Sequence, residues 1–285
     1  MSARYTRRVF DFHARLAPTA DAATQLLSTM DRCGIERAVI CAGGLIDLDR
    51  LAYLIVHGGR STASADNDAV LRAAEASNGR LVPFYFGNPH VSTRAYRTHG
   101  KRYRGLEISP AVHGTGFYNS GVRDLVDVAR DFGHPVYTVC VPAPGGGTED
   151  LVRLAADYPD VVFVFGHCGF ITVDTMALTQ LAPYPNIVAE ISGCLSVTAR
   201  LAVQRLGCDR VLFGTEYPLQ HPEAELAKLA ALGLSPADEQ RVAWDNAHRL
   251  LKLPYPRTHT GQTHAAAMPA QRRPRAALAI NGGTR

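Results

Sequence analysis

Short apolar runs alternate with longer amphipathic stretches along most of this chain. The runs are rich in β-branched and aromatic residues, which are typical of strands. They predict strands at Arg8–Phe12, Ala38–Cys41, Leu81–Phe86, Gly105–Ser109, Pro135–Val139, Val161–Phe165, Ile187–Ile191 and Arg210–Phe213. Because these runs are nearly all apolar, we expect strands that are buried on both faces, as in a parallel sheet covered by helices.

Between the predicted strands, apolar residues recur with the period of a helix that has one buried face. Such stretches lie at Asp21–Cys33, Asn67–Ser77, Val122–Phe132, Glu149–Tyr158, Thr198–Leu206, Glu223–Leu232 and Ala237–Leu251. Eight strand–helix units favour a (β/α)8 TIM barrel, which we place at residues 1–256. An open doubly wound sheet has a similar content of elements, so the prediction rests on counting.

The net charge of +4 belongs to the C-terminal segment and not to the predicted barrel. Residues 257–285 contain five arginines and no acidic residue, so the remainder of the chain is close to neutral. The segment shows no helical or strand period, and we predict a disordered basic tail. A near-neutral barrel without a basic, aromatic-rich stretch argues against nucleic acid as a partner.

Composition excludes several other classes of protein. The chain is 46% hydrophobic and 20% charged, which supports a large core and excludes a largely disordered chain. It contains no apolar run long enough to span a membrane and no apolar N-terminal stretch typical of a secretion signal. Its six cysteines are scattered, without zinc-finger spacing. We therefore expect a cytoplasmic protein with reduced thiols and no membrane partner.

The candidate chemistry lies where the predicted strands end, because a TIM barrel carries its active site at the C-terminal ends of its strands. The first strand leads into Asp11-Phe12-His13-Ala14-Arg15, in which the three ionisable residues alternate and share one face of an extended chain. Three such groups pointing into a barrel would need to be paired or coordinated. The alternative is a strand end whose charges are solvated. His167 and Glu216, at two further strand ends, favour a functional site.

Three motifs in order resemble the amidohydrolase superfamily, in its amidohydrolase-related branch that includes aminocarboxymuconate-semialdehyde decarboxylase. They are the D-x-H of Asp11 and His13, the G-H-C-G around His167 and the F-G-T-E-Y-P around Glu216. The weaker matches CGIERAVI, GRLVPFYFGNP, RGLEISP and DNAHRLLKL extend the resemblance over about residues 8 to 253. The resemblance implies a TIM barrel enzyme acting on a small molecule.

The chain departs from the family's metal site at two positions. The family motif is usually D-x-H-x-H, but Arg15 stands at the second histidine, and arginine has no lone pair for a metal. No histidine stands at the strand-five ligand position near Val139, where Cys140 is the neighbour. The resemblance implies that a bound metal would be held by His13, Glu107, His167 and Glu216. One divalent metal, zinc, and no metal at all remain equally open.

The family's roles, transferred by position, make Glu216, His167 and His13 the catalytic residues. Without metal, Glu216 is the general base, a histidine donates protons, and Arg15 holds a substrate carboxylate or oxyanion. With metal, the ion would activate water and polarise a carbonyl. Residues at the other strand ends that we expect to bind substrate are His90, Cys140 and Tyr217.

We therefore predict a small-molecule hydrolase that acts on a C–O or C–N bond of a carboxylate-bearing substrate, as a lactonase or amidase does. A decarboxylase or other lyase of the same superfamily is the alternative. A further alternative is a barrel that has lost catalysis and persists as a binding subunit, which the missing histidine ligands favour. Barrels that resemble this one commonly form homodimers, and we expect the same here.

Overall fold

A computed structural model of the chain describes residues 8–169 and 174–254. It shows eight parallel strands in sequential order, which confirms the TIM barrel. The strands are β1 (Phe10–Leu16), β2 (Arg37–Ala42), β3 (Leu81–Phe86), β4 (Gly105–Ile108), β5 (Val136–Thr138), β6 (Phe163–Phe165), β7 (Ile187–Glu190) and β8 (Val211–Leu212). The predicted basic tail, residues 257–285, lies outside the described residues.

The barrel closes where the first and last strands meet, a place we call the seam. Phe12 N donates to Phe213 O at 2.8 Å, Arg15 N donates to Tyr217 O at 2.7 Å, and Glu216 N donates to His13 O at 2.8 Å. β8 itself is only two residues long, and the segment that follows it supplies all three of these bonds. The seam therefore brings residues 13 and 15 beside residue 216.

Helices cover the outside of the barrel and its ends. They are α1 (Ala22–Cys33), α2 (Leu48–His57), α3 (Asn67–Ala76), α4 (Arg94–His99), α5 (Pro110–His113), α6 (Ser120–Phe132), α7 (Thr148–Asp157), α8 (Thr175–Leu181), α9 (Ser196–Leu206), α10 (Pro222–Ala231), α11 (Pro236–Gln240) and α12 (Asn246–Leu250). No helix of the described ranges has the length and apolar character that a bilayer crossing requires.

The last predicted helix, Ala237–Leu251, is interrupted. A π-helical turn at Arg241–Asp245 separates α11 from α12. This wider turn buries three consecutive residues, Val242, Ala243 and Trp244, against the barrel. A regular α-helix presents only one face to a core, so it would leave one of the three exposed.

The first strand is longer than predicted and shifts its register midway. It pairs with β2 as far as Leu16, and the register shifts between Asp11 and Ala14. Phe12 packs edge-on against Phe84 within the barrel, while His13 and Arg15 reach the same interior beyond the shift. The expectation that the motif follows the strand is therefore wrong, because β1 continues through it.

Candidate active site

Two cations and two carboxylates of the barrel interior form a closed set of ion pairs. The Arg15 guanidinium donates from Nε to Glu216 Oε1 and from Nη2 to Glu107 Oε1, both at 2.8 Å. The His13 ring lies between the same two carboxylates, with Nε2 at 3.3 Å from Glu107 Oε2 and Nδ1 in direct contact with Glu216 Oε2. We call these four residues the charge cluster.

Each member of the charge cluster holds its neighbours in the ionised form. Burial disfavours the charge on His13, but the carboxylates of Glu216 and Glu107 outweigh burial and raise its pKa to about 10. Burial likewise opposes the charge on Glu107, and Arg15 and His13 lower its pKa to about 2. Arg15 and His13 also overcome burial at Glu216, whose pKa lies well below its usual value. The cluster therefore contains two positive and two negative charges.

Glu216 and His167 both lie in the left-handed backbone region, with φ of 56° and 58°. Residues other than glycine adopt this conformation rarely, and it concentrates at functional sites. The two turns bring the side chains together, with His167 Nε2 at 3.5 Å from Glu216 Oε2. The carboxylate oxygen that contacts His13 therefore also faces His167.

A second, fully buried network orients His167. Ser192 Oγ donates to Glu190 Oε2 at 2.9 Å, so this hydroxyl accepts from His167 Nδ1, also at 2.9 Å. The Tyr137 hydroxyl donates to the same Glu190 oxygen at 2.9 Å. The Tyr137 ring stacks on His13, with centroids 4.0 Å apart and planes within 8°. Glu190 and Tyr137 thus connect His167 to the charge cluster.

Glu190 and Tyr137 were not among the predicted site residues, although the sequence carried a signal for each. Glu190 ends an apolar strand, as Glu107 nearly does. Tyr137 lies in β5, two residues before Val139, so in an extended chain the two side chains point to the same side, where the resemblance places a metal ligand. A complete list of inward-facing polar residues would have included both.

The glycines of the F-G-H and F-G-T motifs make room for this network. A Cβ at Gly166 would collide with the Tyr137 hydroxyl, and a Cβ at Gly214 would collide with the Glu190 carboxylate. The motifs therefore require glycine for close approach rather than for backbone flexibility.

Asp11 belongs to the seam rather than to the charge cluster. Its carboxylate accepts from Thr215 N at 2.9 Å and His13 N at 3.1 Å, and also from the Thr215 hydroxyl. Burial raises the pKa of Asp11 to about 7 against these hydrogen bonds. The register shift in β1 separates Asp11 from His13 and Arg15, so the three do not share one face as expected.

A cavity of about 540 Å³ opens above the charge cluster. Arg15, Glu216 and His167 form its polar floor. Its walls are largely apolar and come from the β2–α2 loop, α2, β3, α5 and the segments after β5 and β8; examples are Leu45, Ile46, Leu51, Phe86, Val112, Val139 and Leu219. A cavity of this size and polarity suits a small, mainly apolar molecule with one polar end.

The structure brings together five of the predicted site residues: His13, Arg15, Glu107, His167 and Glu216. The other three are neither members of the charge cluster nor among the described residues that line the cavity. His90 Nε2 donates to His113 O at 2.8 Å, and Tyr217 O accepts from Arg15 N. Cys140 is buried, and burial raises the pKa of its thiol. A role of these three in substrate binding stays a prediction.

Nitrogen and oxygen atoms of His13, His167 and Glu190 lie within 4.8 Å of one another, close enough for a metal site. Several of these atoms, however, already face other partners. Both ring nitrogens of His13 face carboxylates, and Glu190 accepts from Tyr137, from the Ser192 amide and hydroxyl, and from His167 N. Metal-bound histidine must be neutral, with a free nitrogen. A divalent ion would bind here only after His13 had lost its proton and at least one of its carboxylate contacts.

Comparison with known proteins gives one family and many similar folds. The sequence profile of the amidohydrolase family matches residues 11–253. No curated protein sequence matches the chain significantly.

Three solved structures illustrate the shared fold. 5-Carboxyvanillate decarboxylase from Novosphingobium aromaticivorans, with bound manganese, is 16% identical with a TM-score of 0.66, over 87% of this chain and 97% of that one. 2,6-Dihydroxybenzoate decarboxylase from Rhizobium is 15% identical with a TM-score of 0.63, over 86% and 99%. An uncharacterised TIM-barrel protein from Bordetella bronchiseptica is 18% identical with a TM-score of 0.68, over 86% and 98%. At these identities the likeness establishes the barrel fold.

Proposed function

This chain belongs to the amidohydrolase family, and from that premise we propose that it is a decarboxylase of carboxylated aromatic compounds. The superfamily predicted from the three motifs is confirmed, and with it the prediction of an enzyme. The solved neighbours include decarboxylases of carboxylated phenols and so support the decarboxylase alternative better than the hydrolase that the sequence first suggested.

The observation that carries the proposal is the contrast between the walls and the floor of the cavity. Apolar walls accept an aromatic ring, and the Arg15 guanidinium in the floor attracts an anionic substrate. Among the described residues, Nη1 of Arg15 has no hydrogen-bond acceptor, so this nitrogen is available to a substrate oxygen. The surrounding apolar side chains remove water from the bound carboxylate, and this favours dispersal of its charge into the ring as the C–C bond breaks.

The charge cluster stores the proton that the reaction consumes. When carbon dioxide leaves, the electron pair of the broken bond stays on the ring carbon, which then takes up one proton. Glu216 lines the cavity and contacts His13, whose raised pKa keeps it protonated at neutral pH. The proton passes from His13 through the Glu216 carboxylate to the carbon, and water restores it afterwards. His167, oriented by Ser192, points Nε2 to the same place.

The direct test is release of carbon dioxide from 13C-carboxyl-labelled aromatic acids, followed by NMR. We would compare 2,6-dihydroxybenzoate and 5-carboxyvanillate with benzoate, which lacks the hydroxyl groups that accept charge from the ring. A panel of lactones and amides is assayed alongside. Release of label from the hydroxylated acids is the expected result. Hydrolysis of a lactone or amide, with no label released from any acid, would restore the hydrolase prediction.

Glu216→Gln should lower kcat by a factor of about 100 or more, because the amide cannot carry the proton from His13 to the substrate. KM should change much less, since Arg15 and the apolar walls remain. The matched control is Glu223→Gln, an exposed glutamate of α10, which should retain full activity. Activity of Glu216→Gln within a few-fold of the wild type would remove Glu216 from the mechanism.

A further inference from the structure

We propose that Arg15, together with His13, takes the place of the divalent ion that solved neighbours of this fold hold, so that the site works without metal. The neighbours concerned contain manganese. The proposal concerns metal content, which is measured without any substrate and is therefore independent of the proposed reaction.

The charges of the four residues balance without a metal. Arg15 contacts both Glu107 and Glu216 at 2.8 Å, and His13 lies between the same carboxylates. Each ring nitrogen of His13 faces a carboxylate oxygen, and the two carboxylates together stabilise the protonated, positively charged ring. Two positive charges therefore neutralise two negative charges. A divalent ion bound through His13 would displace the proton of that ring, and the four residues with the ion would then carry an uncompensated charge of +1 in the interior.

The position that an ion would take between the two histidines is already filled. An ion held by His13 and His167 would lie between their rings, whose centroids are 5.5 Å apart. The Oε2 atom of Glu216 already lies there, in contact with His13 Nδ1 and 3.5 Å from His167 Nε2. Arg15 fixes this carboxylate through its other oxygen. The arginine therefore holds an oxygen at the position where the metal would be.

Arg15 also stands at the sequence position of a metal ligand. Arg15 stands on β1 at the position where the D-x-H-x-H motif has its second histidine. One substitution thus removes a ligand and supplies a permanent positive charge in the same space. Glu107 and Glu216, which would otherwise repel each other, are both bound by this one side chain.

The wild-type protein provides the first test. The full chain, purified without chelator, is analysed for manganese, zinc and iron and then titrated with Mn²⁺ and Zn²⁺ by calorimetry. We expect well below one ion per chain, no saturable site, and the same Tm with and without EDTA. About one tightly bound ion per chain, or a Tm that falls with EDTA and recovers with Mn²⁺, would overturn the proposal.

The Arg15→His variant provides the second test. It restores the family spacing and removes the guanidinium, so it should bind Mn²⁺ or Zn²⁺ at least about tenfold more tightly than the wild type. The control is Arg153→His, which adds a histidine on the exposed surface of α7 and should bind no more metal than the wild type. A folded Arg15→His variant that also gains no affinity would mean that Arg15 does not exclude the ion, against the proposal. If the variant does not fold, the wild-type measurements decide.

Discussion

Tyr137 connects the two parts of the site through one side chain. Its ring lies flat on His13, and its hydroxyl donates to Glu190, which in turn accepts from the residues that orient His167. The face of an aromatic ring attracts a neighbouring cation, so the stack favours the protonated form of His13. The hydroxyl and the ring therefore have separate effects that a single substitution can distinguish.

Tyr137→Phe should destabilise the protein by about 2 kcal/mol, because a buried carboxylate loses one donor while the ring stack remains. The free energy of unfolding in urea measures this loss. Tyr53→Phe, which changes an exposed tyrosine of α2, should stay within about 0.5 kcal/mol of the wild type. Equal losses in both variants would show that the bond from Tyr137 to Glu190 contributes nothing.

At the scale of elements, α10 holds the loop that follows β7. Lys228 donates to Ile191 O at 2.7 Å and to Cys194 O at 2.9 Å, and it forms an ion pair with Glu225. Glu225 also accepts from Gly193 N at 3.2 Å. Both side chains are almost fully buried. Because this loop carries Ser192, the ion pair on the outer helix fixes the position of His167 inside the barrel.

Lys228→Met should destabilise the protein by about 3 kcal/mol or more, because Glu225 would remain buried without its cation. The double variant Glu225→Gln/Lys228→Met should lose less than the single variant, since no charge remains uncompensated. Lys101→Met, at an exposed position, is the control and should be close to neutral. Urea unfolding of the wild type and the three variants measures the order of their stabilities. A double variant less stable than Lys228→Met would contradict the explanation by charge.

The sequence predicted elements well where the pattern is local and poorly where distant residues decide. β3 was predicted to the residue and β2 within one residue at each end, because both are continuous apolar runs. The predicted first strand ended too early, at Phe12, because the polar side chains of His13 and Arg15 look unsuited to a buried strand. Their carboxylate partners are about 90 and 200 positions away, so no local pattern reveals them. α2 was missed, and its exposed apolar residues weaken the helical period.

The site was predictable as a set of residues but not as an arrangement. The motifs identified His13, Arg15, His167 and Glu216, because each lies in or just after the C-terminal part of a strand, at a position that the superfamily uses. They did not show that Arg15 bridges two carboxylates, since this depends on β4 and the seam meeting across the barrel. The register shift in β1 turns His13 and Arg15 inward together. No local pattern of residues predicts this shift.

At the scale of the whole molecule, the charge cluster connects folding to pH. The folded protein holds the proton of His13 up to about pH 10, whereas the unfolded chain releases it near the ordinary histidine value of 6.5. A raised pKa contributes stability that is complete below pH 6.5 and is lost as pH rises through about 10. The free energy of unfolding should therefore fall between pH 7 and pH 10.

Glu107→Gln should weaken this dependence on pH, because one of the two carboxylates that raise the pKa of His13 is removed. Urea midpoints measured from pH 6 to pH 10.5 should fall less steeply in the variant than in the wild type. Deprotonation of lysines and tyrosines elsewhere affects both proteins alike, so the difference isolates the cluster. Parallel curves would show that Glu107 does not set the protonation of His13.

The seam has one more consequence, for the protein during its synthesis. Arg15 leaves the ribosome early, and the glutamate that it binds across the seam follows 201 residues later. During that interval the nascent chain carries the cation without one of its two anions, and no product truncated before Glu216 can assemble the floor of the cavity. Two separately expressed fragments, cut in a loop between these positions, should each be inert and regain activity only when mixed. The charge cluster therefore becomes complete only when translation has passed the last strand of the barrel.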